Sequence, residues 1–343
     1  MKHIRAGISI GDINGIGVEI ILKTFKDNRI TDFFTPIIFG SKKLFSIHQQ
    51  QLGIKESNLH ITNSIKNIKK NKINLINCWK EDVEINFGKA SVTSGEYALK
   101  SIQLACNALK EKQIDLLVTA PVNKDVIQKK INSFIGHTEF LESNFEGKSL
   151  MIMISQVMKI AFVTGHIPLS KVATTITSSL IIDKAEQFHA SLMSDFMIRK
   201  PKIALLSINP HAGENGLLGS EDHNIIMPAI KHLNNNNILA YGPYPSDSFF
   251  TPKNLSFFDG ILSMYHDQGL TPFKTLSFSE GINYTAGLNI VRTSPVHGTG
   301  FDIAGKNIAN ETSFREAIFM SCKIFKNRSL CIELNKNALP EKK

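Results

Sequence analysis

Short apolar runs rich in β-branched residues alternate with amphipathic stretches along the chain. Most of these runs are too continuously apolar for strands with one solvated face, so they indicate strands buried on both faces of a mostly parallel sheet, with helices between them. The predicted strands cover residues 4–10, 36–40, 114–120, 160–164 and 203–208. The pattern therefore predicts an α/β fold.

Two helices carry the clearest signals. Thr93 and Glu96 have the spacing of a capping box, and Ser313 and Glu316 repeat it near the C-terminus. After each predicted N-cap, residues that would share one helix face recur at helical spacing. They are Ala98, Ile102, Ala105 and Leu109 in the first helix, and Phe314, Ile318, Ser321 and Phe325 in the second.

Length and composition narrow the class of protein. At roughly 150 residues per domain, 343 residues fit about two domains. The hydrophobic share of 42% is that of a globular protein and excludes disorder as the main state. The net charge of +9 suits nucleic acid, an anionic membrane or an anionic substrate. Because basic clusters such as Lys69-Lys70 are short and scattered, the charge favours a solvated surface over a nucleic-acid face.

The cysteines and the apolar runs indicate the compartment. The four cysteines form no C-x-x-C pair, so we expect reduced thiols rather than a disulfide framework. The N-terminal residues do not have the pattern of a secretion signal, and no run of about 18 apolar residues could span a bilayer. We therefore expect a soluble cytoplasmic protein without a membrane partner.

Three histidines follow predicted or strand-like runs. His166, His211 and His266 each come directly after an apolar run, beside Gly, Pro or Asp. Ligands of open α/β sheets bind beyond the carboxyl ends of the strands. Neutral imidazole is a common ligand of Zn²⁺ and similar cations. A structural or surface role is favoured for any one histidine alone, whereas three histidines in equivalent strand-end positions are about equally consistent with a metal site. Asp247 and Asp267 are candidates for oxygen ligands, proton acceptors or turn caps.

A second group has the chemistry of an anion site. His137 and Thr138 follow Gly136 at a predicted helix start, where free amides favour phosphate or carboxylate. Lys274 and Arg292 supply a point charge and a bidentate fork suited to a phosphorylated acid, and Asn283 lies between them in the sequence. Ordinary capping and surface solvation remain the alternatives.

Two glycine-rich segments are also candidates for ligand loops. Residues 11–17 follow the first strand, but they lack both the Rossmann spacing and the Walker Lys-Ser/Thr pair, so a tight strand-to-helix turn is at least as consistent. Residues 297–306 are polar and low in bulk, which predicts a loop.

Read in order, these segments resemble the 4-hydroxythreonine-4-phosphate dehydrogenase family of pyridoxal phosphate biosynthesis, and the resemblance covers nearly the whole chain. Its most specific parts are Asn-Pro-His-Ala-Gly-Glu at 209–214 and Tyr-His-Asp-Gln-Gly at 265–269. The family implies an isocitrate/isopropylmalate dehydrogenase-like fold rather than a Rossmann fold. We expect a cofactor-side domain at 1–128 and 286–343, and a substrate, metal and dimer-interface domain at 129–285.

The resemblance also implies residue roles. It makes the three strand-end histidines ligands of one divalent metal, Zn, Mg or Co, shared between the subunits of a homodimer. It implies NAD or NADP as cofactor, and the late loop resembles the adenosine-side loop of the isocitrate and isopropylmalate dehydrogenases. The expected sites are His166, His211 and His266 for metal; His137, Thr138, Lys274, Asn283 and Arg292 for substrate; His297, Gly298 and Asp302 for cofactor; and Asp247 or Asp267 as proton acceptor.

The implied reaction is oxidation of 4-hydroxy-L-threonine 4-phosphate to a 3-oxo acid, which decarboxylates to 3-amino-2-oxopropyl phosphate. Relatives acting on threonate or erythronate 4-phosphate share most of the motifs, so these substrates are alternatives. A metal-dependent phosphohydrolase would need a similar set of residues and is a further alternative. The chain departs from the family pattern at Asn14, Val18, Val296 and Gly300, which bears on cofactor affinity and on the choice between NAD and NADP.

Overall fold

A computed structural model describes residues 3–54, 58–128 and 136–336. These residues form an α/β protein whose strands alternate with helices along most of the chain. The strands are β1 Arg5–Ser9, β2 Thr35–Gly40, β3 Leu59–Thr62, β4 Ile73–Asn77, β5 Leu116–Thr119, β6 Gly147–Ile154, β7 Lys159–Phe162, β8 Lys202–Leu206, β9 Leu239–Tyr244, β10 Gly260–Ser263, β11 Ile282–Leu288 and β12 Arg292–Pro295.

Helices connect most of these strands. They are α1 Gly17–Thr24, α2 Lys42–Gln51, α3 Val92–Lys110, α4 Lys124–Gln128, α5 His137–Glu142, α6 Leu169–Thr175, α7 Ser178–Ser194, α8 Met227–Asn235, α9 Ser246–Phe249, α10 Pro252–Phe257, α11 His266–Ser277 and α12 Thr312–Lys336. None of the helices in the described parts of the chain combines the length and the apolar character that a bilayer crossing requires.

The described chain falls into two compact units. The first comprises Met1–Gly147 and Leu288–Phe325, and the second comprises Lys148–Gly287 and Lys326–Lys343. The chain thus changes unit at 147/148, 287/288 and 325/326, whereas the domains expected from the sequence change only at 128/129 and 285/286. The expected change at 128/129 borders on residues 129–135, which lie outside the described residues.

In the first unit the strands lie in the order β3-β4-β2-β1-β5-β12, and each of these pairings is parallel. The long helix α3 packs its apolar side against this sheet, where Ile102 and Ala105 meet Ile37 and Leu117 in one buried cluster. Burial on both faces explains why these strands are continuously apolar in the sequence.

In the second unit the order is β11-β6-β7-β10-β8-β9. The pairing of β6 with β7 is antiparallel, and β7, β10, β8 and β9 run parallel to one another. Helix α7 covers this sheet closely, because a Cβ added to Gly260 would lie 2.6 Å from the ring of Phe188. All five strands predicted from the sequence are confirmed, with ends that differ by at most two residues.

Both predicted helices exist, but their predicted caps are wrong. Helix α3 begins two residues earlier than predicted: Ser91 caps it and forms the capping box with Ser94, because the Ser91 hydroxyl accepts from Ser94 N at 3.0 Å and the Ser94 hydroxyl accepts from Ser91 N at 3.3 Å. Ser313 lies inside α12, and its hydroxyl accepts from Val296 N at 3.2 Å. The apolar faces were sufficient to locate the helices, whereas short hydroxyl residues at several nearby positions left the caps ambiguous.

Candidate active site

The three strand-end histidines lie at one edge of the second unit. His166 follows β7, His211 follows β8, and His266 is the first residue of α11 after β10. These strands are neighbours in the order β7-β10-β8 and run parallel, so their carboxyl ends lie at the same edge of the sheet. That edge is where ligands bind in open α/β sheets.

Two of these imidazoles are in contact. The ring centroids of His166 and His266 lie 4.9 Å apart, and His266 Nδ1 lies 2.7 Å from Asp267 Oδ1. Imidazoles with a carboxylate behind one of them form a donor set that suits Zn²⁺ or Co²⁺, since the carboxylate fixes the ring orientation. His211 is not part of this pair, and the described residues contain no group of three His, Cys, Asp or Glu side chains converged on one metal position.

His211 opens an unusual turn. His211, Ala212, Gly213, Glu214 and Asn215 all have positive φ, with His211 at φ 52° and ψ 29°. A left-handed conformation costs about 1–2 kcal/mol for each residue that has a Cβ. Four of the five residues have one, so surrounding contacts must hold this turn in place.

The ends of the strands at this edge are tied together by Gln268. Its Oε1 accepts from Met264 N at 2.7 Å, while its Nε2 donates to Ser207 O at 2.5 Å and to Ser246 Oγ at 2.7 Å. Met264 follows β10, Ser207 follows β8, and Ser246 is the first residue of α9. Helix α9 also carries the exposed Asp247. Gln268 therefore fixes the relative positions of the segments that carry His266, His211 and Asp247.

A separate cationic group lies in the first unit. Gly136 is the N-cap of α5 and His137 is its first residue, as the sequence predicted. Arg292 begins β12, is only 2% exposed, and donates to Thr119 Oγ1 from Nε at 3.1 Å and from Nη2 at 2.5 Å. A Cβ added to Gly136 would lie 3.1 Å from Lys124 Nζ, so glycine leaves room for that ammonium beside α5.

The charges of this group follow from burial. Desolvation, followed by the positive charges of Arg292 and Lys124, lowers the pKa of His137 well below its ordinary value, so this imidazole is neutral at pH 7. Burial lowers the pKa of Arg292 to about 10, which leaves the guanidinium charged at that pH. The group thus combines cations with a neutral hydrogen-bonding ring, a combination that suits an anion.

Lys274 and Asn283 lie in the second unit, on α11 and β11. Asn283 Oδ1 is buried and has no hydrogen-bond partner among the described residues. The next residue, Tyr284, donates to Asp195 Oδ2 at 2.6 Å, and Arg328 bonds both of these groups, with Nε 2.6 Å from Asp195 Oδ1. Because neighbouring side chains of a strand point to opposite faces, this buried network fixes β11 from the face away from Asn283.

The early glycine-rich loop is a strand-to-helix turn. Four of its amides have partners inside the unit: Asp12 N donates to Pro121 O, Asn14 N to Asp12 Oδ1, Gly15 N to Asp12 O, and Ile16 N to Thr299 O. Amides occupied in this way are not available to cradle a phosphate. The bond from Ile16 N to Thr299 O holds the loop after β12 against this turn.

The loop after β12 carries His297, Gly298 and Asp302. Gly298 and Asp302 are exposed, and a Cβ added to Gly298 would meet no atom within 4 Å. The site residues expected from the sequence are therefore divided between the units. His137, Thr138, Arg292, His297, Gly298 and Asp302 lie in the first unit, and His166, His211, Asp247, His266, Asp267, Lys274 and Asn283 lie in the second.

The family model described as "Pyridoxal phosphate biosynthetic protein PdxA" matches residues 32–321, which is most of the chain. The chain belongs to this family. A PdxA-family relative from Bacteroides thetaiotaomicron, named 4-hydroxythreonine-4-phosphate dehydrogenase, is 48% identical over 95% of this chain and 90% of its own length. A relative from Oceanobacillus iheyensis, named provisionally for D-threonate 4-phosphate dehydrogenase, is 35% identical over 93% of this chain and 97% of its own length.

Solved structures agree with the PdxA assignment. A crystal structure of a 4-hydroxythreonine-4-phosphate dehydrogenase from Klebsiella pneumoniae matches with a TM-score of 0.80 and 29% identity, covering 94% of this chain and 98% of that one. Isocitrate dehydrogenase from Methylococcus capsulatus matches with a TM-score of 0.50 and 12% identity, covering 98% and 89%. The second likeness concerns the fold alone, and it confirms the expected isocitrate dehydrogenase-like architecture.

Sequence reasoning missed the buried polar residues that hold this PdxA-family site in place. Gln268 lies within the Tyr-His-Asp-Gln-Gly segment, and its position directly after His266 and Asp267 was the available signal. Asp222, which is 1% exposed, bonds the backbone ahead of His211. It lies eleven residues beyond that histidine, outside any motif recognised in the sequence.

Proposed function

We propose that this chain is an NAD(P)-dependent, divalent-metal-assisted 4-hydroxy-L-threonine 4-phosphate dehydrogenase of pyridoxal phosphate biosynthesis. The observation that carries the proposal is the placement of three histidines after adjacent parallel strands, with two of the rings in contact. The name of the relative that is 48% identical supports the substrate.

The proposed reaction removes hydride from C3 of the substrate, to NAD or NADP, and the proton from its hydroxyl. The product is a 3-oxo acid, which loses CO₂ to give 3-amino-2-oxopropyl phosphate. The chain must therefore bind a dianionic phosphate, orient the C3 hydroxyl and provide a route for its proton.

His166, His211 and His266 would hold the divalent metal. A cation bound there would supply Lewis-acid stabilisation of the negative charge that develops on oxygen during the oxidation. Asp267 would then orient His266 through the 2.7 Å contact with Nδ1, a common arrangement behind metal-ligating histidines.

The residues proposed to bind the phosphorylated substrate are Arg292, His137, Thr138, Lys274 and Asn283. The buried, charged guanidinium supports this role for Arg292, since Thr119 orients its planar fork. The orphaned amide oxygen of Asn283 supports a ligand donor at that position, because buried polar atoms are normally hydrogen-bonded.

Two carboxylates are proposed as alternative proton acceptors. Asp247 is exposed on α9 beside the Gln268 network, and Asp267 is exposed at the start of α11. Asp267 is already engaged with His266, which favours Asp247 as the group available to take the proton. For the cofactor, His297, Gly298 and Asp302 are proposed because the loop is open around Gly298.

We further propose a homodimer with shared active sites. Large apolar side chains flank the candidate ligands: Leu169 follows His166 and is 75% exposed, and Leu217 follows the His211 turn and is 78% exposed. Exposed apolar groups of this kind are covered in protein interfaces. A second copy placed there would also bring additional side chains to the metal position.

The test is reduction of the cofactor, followed at the NADH absorbance band. Purified protein is incubated with NAD or NADP and Zn²⁺, Mg²⁺ or Co²⁺, and the substrate is 4-hydroxythreonine, threonate or erythronate 4-phosphate. Chelator-sensitive reduction that is fastest with the amino acid supports the proposal. No reduction with any substrate refutes dehydrogenase activity, and release of free phosphate without cofactor would indicate the phosphohydrolase alternative.

The relative named for D-threonate 4-phosphate makes a sugar-acid phosphate the second candidate substrate. The same assay separates the two, because that enzyme would reduce the cofactor fastest with threonate 4-phosphate. The reaction chemistry would then stay the same and the pathway would change.

A further inference from the structure

The left-handed turn at His211 needs an anchor. Its residues 211, 212, 214 and 215 have side chains in a backbone region that L-amino acids disfavour. Such conformations persist where neighbouring groups over-determine them, and they cluster at functional sites. The groups that hold this turn therefore also set the direction in which His211 leaves β8.

Asp222 bonds the backbone immediately ahead of the turn. Its Oδ1 accepts from Ile208 N at 2.8 Å, and its Oδ2 accepts from Asn209 N at 3.1 Å and from Asn209 Nδ2 at 3.0 Å. The carboxylate is buried, so these charge-assisted bonds are shielded from water. Both amides that precede Pro210 are thus fixed by one side chain.

The far side of the turn closes onto the same segment. Leu218 N donates to Gly213 O at 3.0 Å, and a Cβ added to Gly213 would lie 2.6 Å from Gly219 O. Gly219 in turn approaches the side-chain amide of Asn209, which a Cβ there would meet at 2.6 Å. Residues 219–222 therefore support the turn from both of its ends.

We infer that Asp222 is a positioning residue for His211: its buried carboxylate holds the start of the left-handed turn and so presents the imidazole beyond β8 in a fixed direction. This inference rests on the proposed function, in which His211 is a metal ligand. Glu221 provides a matched comparison, because it accepts from Asn209 Nδ2 at 2.8 Å, as Asp222 does, whereas the backbone amides of Ile208 and Asn209 donate to Asp222.

The experiment measures Co²⁺ affinity of the full-length protein by titration of its visible absorption, together with the melting temperature of the metal-free form. Asp222→Asn keeps the shape of the side chain and replaces one acceptor by a donor that opposes a backbone N–H. We expect at least a tenfold loss of Co²⁺ affinity, as for other residues that orient metal ligands. Glu221→Gln should stay within about twofold of the unmodified chain.

A rescue variant separates positioning from general stability. Glycine carries no penalty at positive φ, so adding Ala212→Gly to Asp222→Asn should restore part of the Co²⁺ affinity. A simple loss of packing around Asp222 would not be repaired by this change. Wild-type affinity in Asp222→Asn, equal losses in Asp222→Asn and Glu221→Gln, or no recovery with Ala212→Gly would each overturn the inference.

If Asp222→Asn does not fold, Asn209→Asp takes its place. It sets a third carboxylate against Asp222 and Glu221 without altering either, so it should also weaken Co²⁺ binding tenfold or more, and wild-type affinity would overturn the inference. His211→Ala distinguishes the assignment of His211 as a metal ligand from the positioning role of Asp222. Unchanged Co²⁺ binding in His211→Ala refutes the ligand assignment itself, whereas loss there with normal binding in Asp222→Asn refutes only the role of Asp222.

Discussion

The stability of the first unit should depend on pH through His48. This residue lies in α2 at 1% exposure, and its Nε2 lies 3.0 Å from the carbonyl oxygen of Ile13. The neutral ring donates Nε2–H to that oxygen. Burial lowers the pKa of His48 from 6.5 to about 4, so the folded chain disfavours the protonated ring that the unfolded chain accepts.

Proton linkage gives the direction and the size of the change in folding stability with pH. Between pH 6.5 and about 4 the unfolded state binds more protons at this residue than the folded state, so folding stability falls as the pH falls through that window. The contribution is complete above pH 6.5. With those two pKa values, the loss amounts to about 2 kcal/mol at pH 5 and about 3 kcal/mol at pH 4.

The assay compares the native chain with His48→Gln, which can still donate to Ile13 O but does not titrate. Urea unfolding can be followed by the fluorescence of Trp79, because it is the single tryptophan of the chain, is buried, and lies in the same unit. Other acid-titrating groups cancel in the difference between the two proteins. His60→Gln, which removes a less buried ring bonded to Asn67 O, controls for loss of an imidazole as such.

The native chain should lose about 3 kcal/mol more than His48→Gln between pH 7 and pH 4. Parallel loss in the two proteins would show that the folded state does not keep His48 neutral. The reasoning from burial would then be refuted.

Further predictions concern the site and its supports. Arg292→Lys should raise KM for the phosphorylated substrate by roughly 10- to 100-fold, because an ammonium cannot reproduce the bidentate charge-assisted contact, and steady-state kinetics against substrate concentration would check it. Asn283→Ala should raise KM about tenfold, yet leave the urea midpoint nearly unchanged, since its buried Oδ1 has no described partner to lose. Tyr284→Phe should lower the free energy of unfolding by about 1–3 kcal/mol, because Asp195 loses a buried donor; an unchanged unfolding curve would contradict that role. His211→Ala should abolish most metal-dependent turnover with a normal circular dichroism spectrum, and full retained activity would remove it from the ligand set.

The sequence was sufficient to locate the elements that burial determines. Strands such as β1 and β8 are enclosed by helices and neighbouring strands, so hydrophobicity alone predicts them. The ends of the apolar runs at β7, β8 and β10 likewise indicate where His166, His211 and His266 emerge. The cap of α3 could not be predicted in the same way, because Ser91, Thr93 and Ser94 all have a hydroxyl and only the position of the preceding chain decides which of them caps the helix.

The conformation at His211 could not be predicted for a different reason. Nothing in Asn-Pro-His-Ala-Gly-Glu requires a left-handed turn, and only one of its residues is a glycine. The turn depends on bonds from Asp222, a residue distant in sequence that also begins a π-helical turn. Interactions between side chains and distant backbone leave no periodic signal, so sequence patterns indicate candidate ligands more readily than the residues that position them.

Asn14 is another buried polar residue that positions backbone segments distant from it in the sequence. The sequence is expected to depart from the family pattern at this position, where the side chain is fully buried and bonded at both ends: Nδ2 donates to Lys89 O at 2.8 Å, and Oδ1 accepts from Asn86 N at 2.9 Å. The backbone carbonyl of Asn14 accepts from Gly88 N, so residues 86–89 are hydrogen-bonded to the turn at residues 11–17. The same turn is hydrogen-bonded to the loop after β12. An effect of this departure on cofactor affinity would therefore act through the position of these loops, because Asn14 itself has no exposed surface with which to touch a ligand.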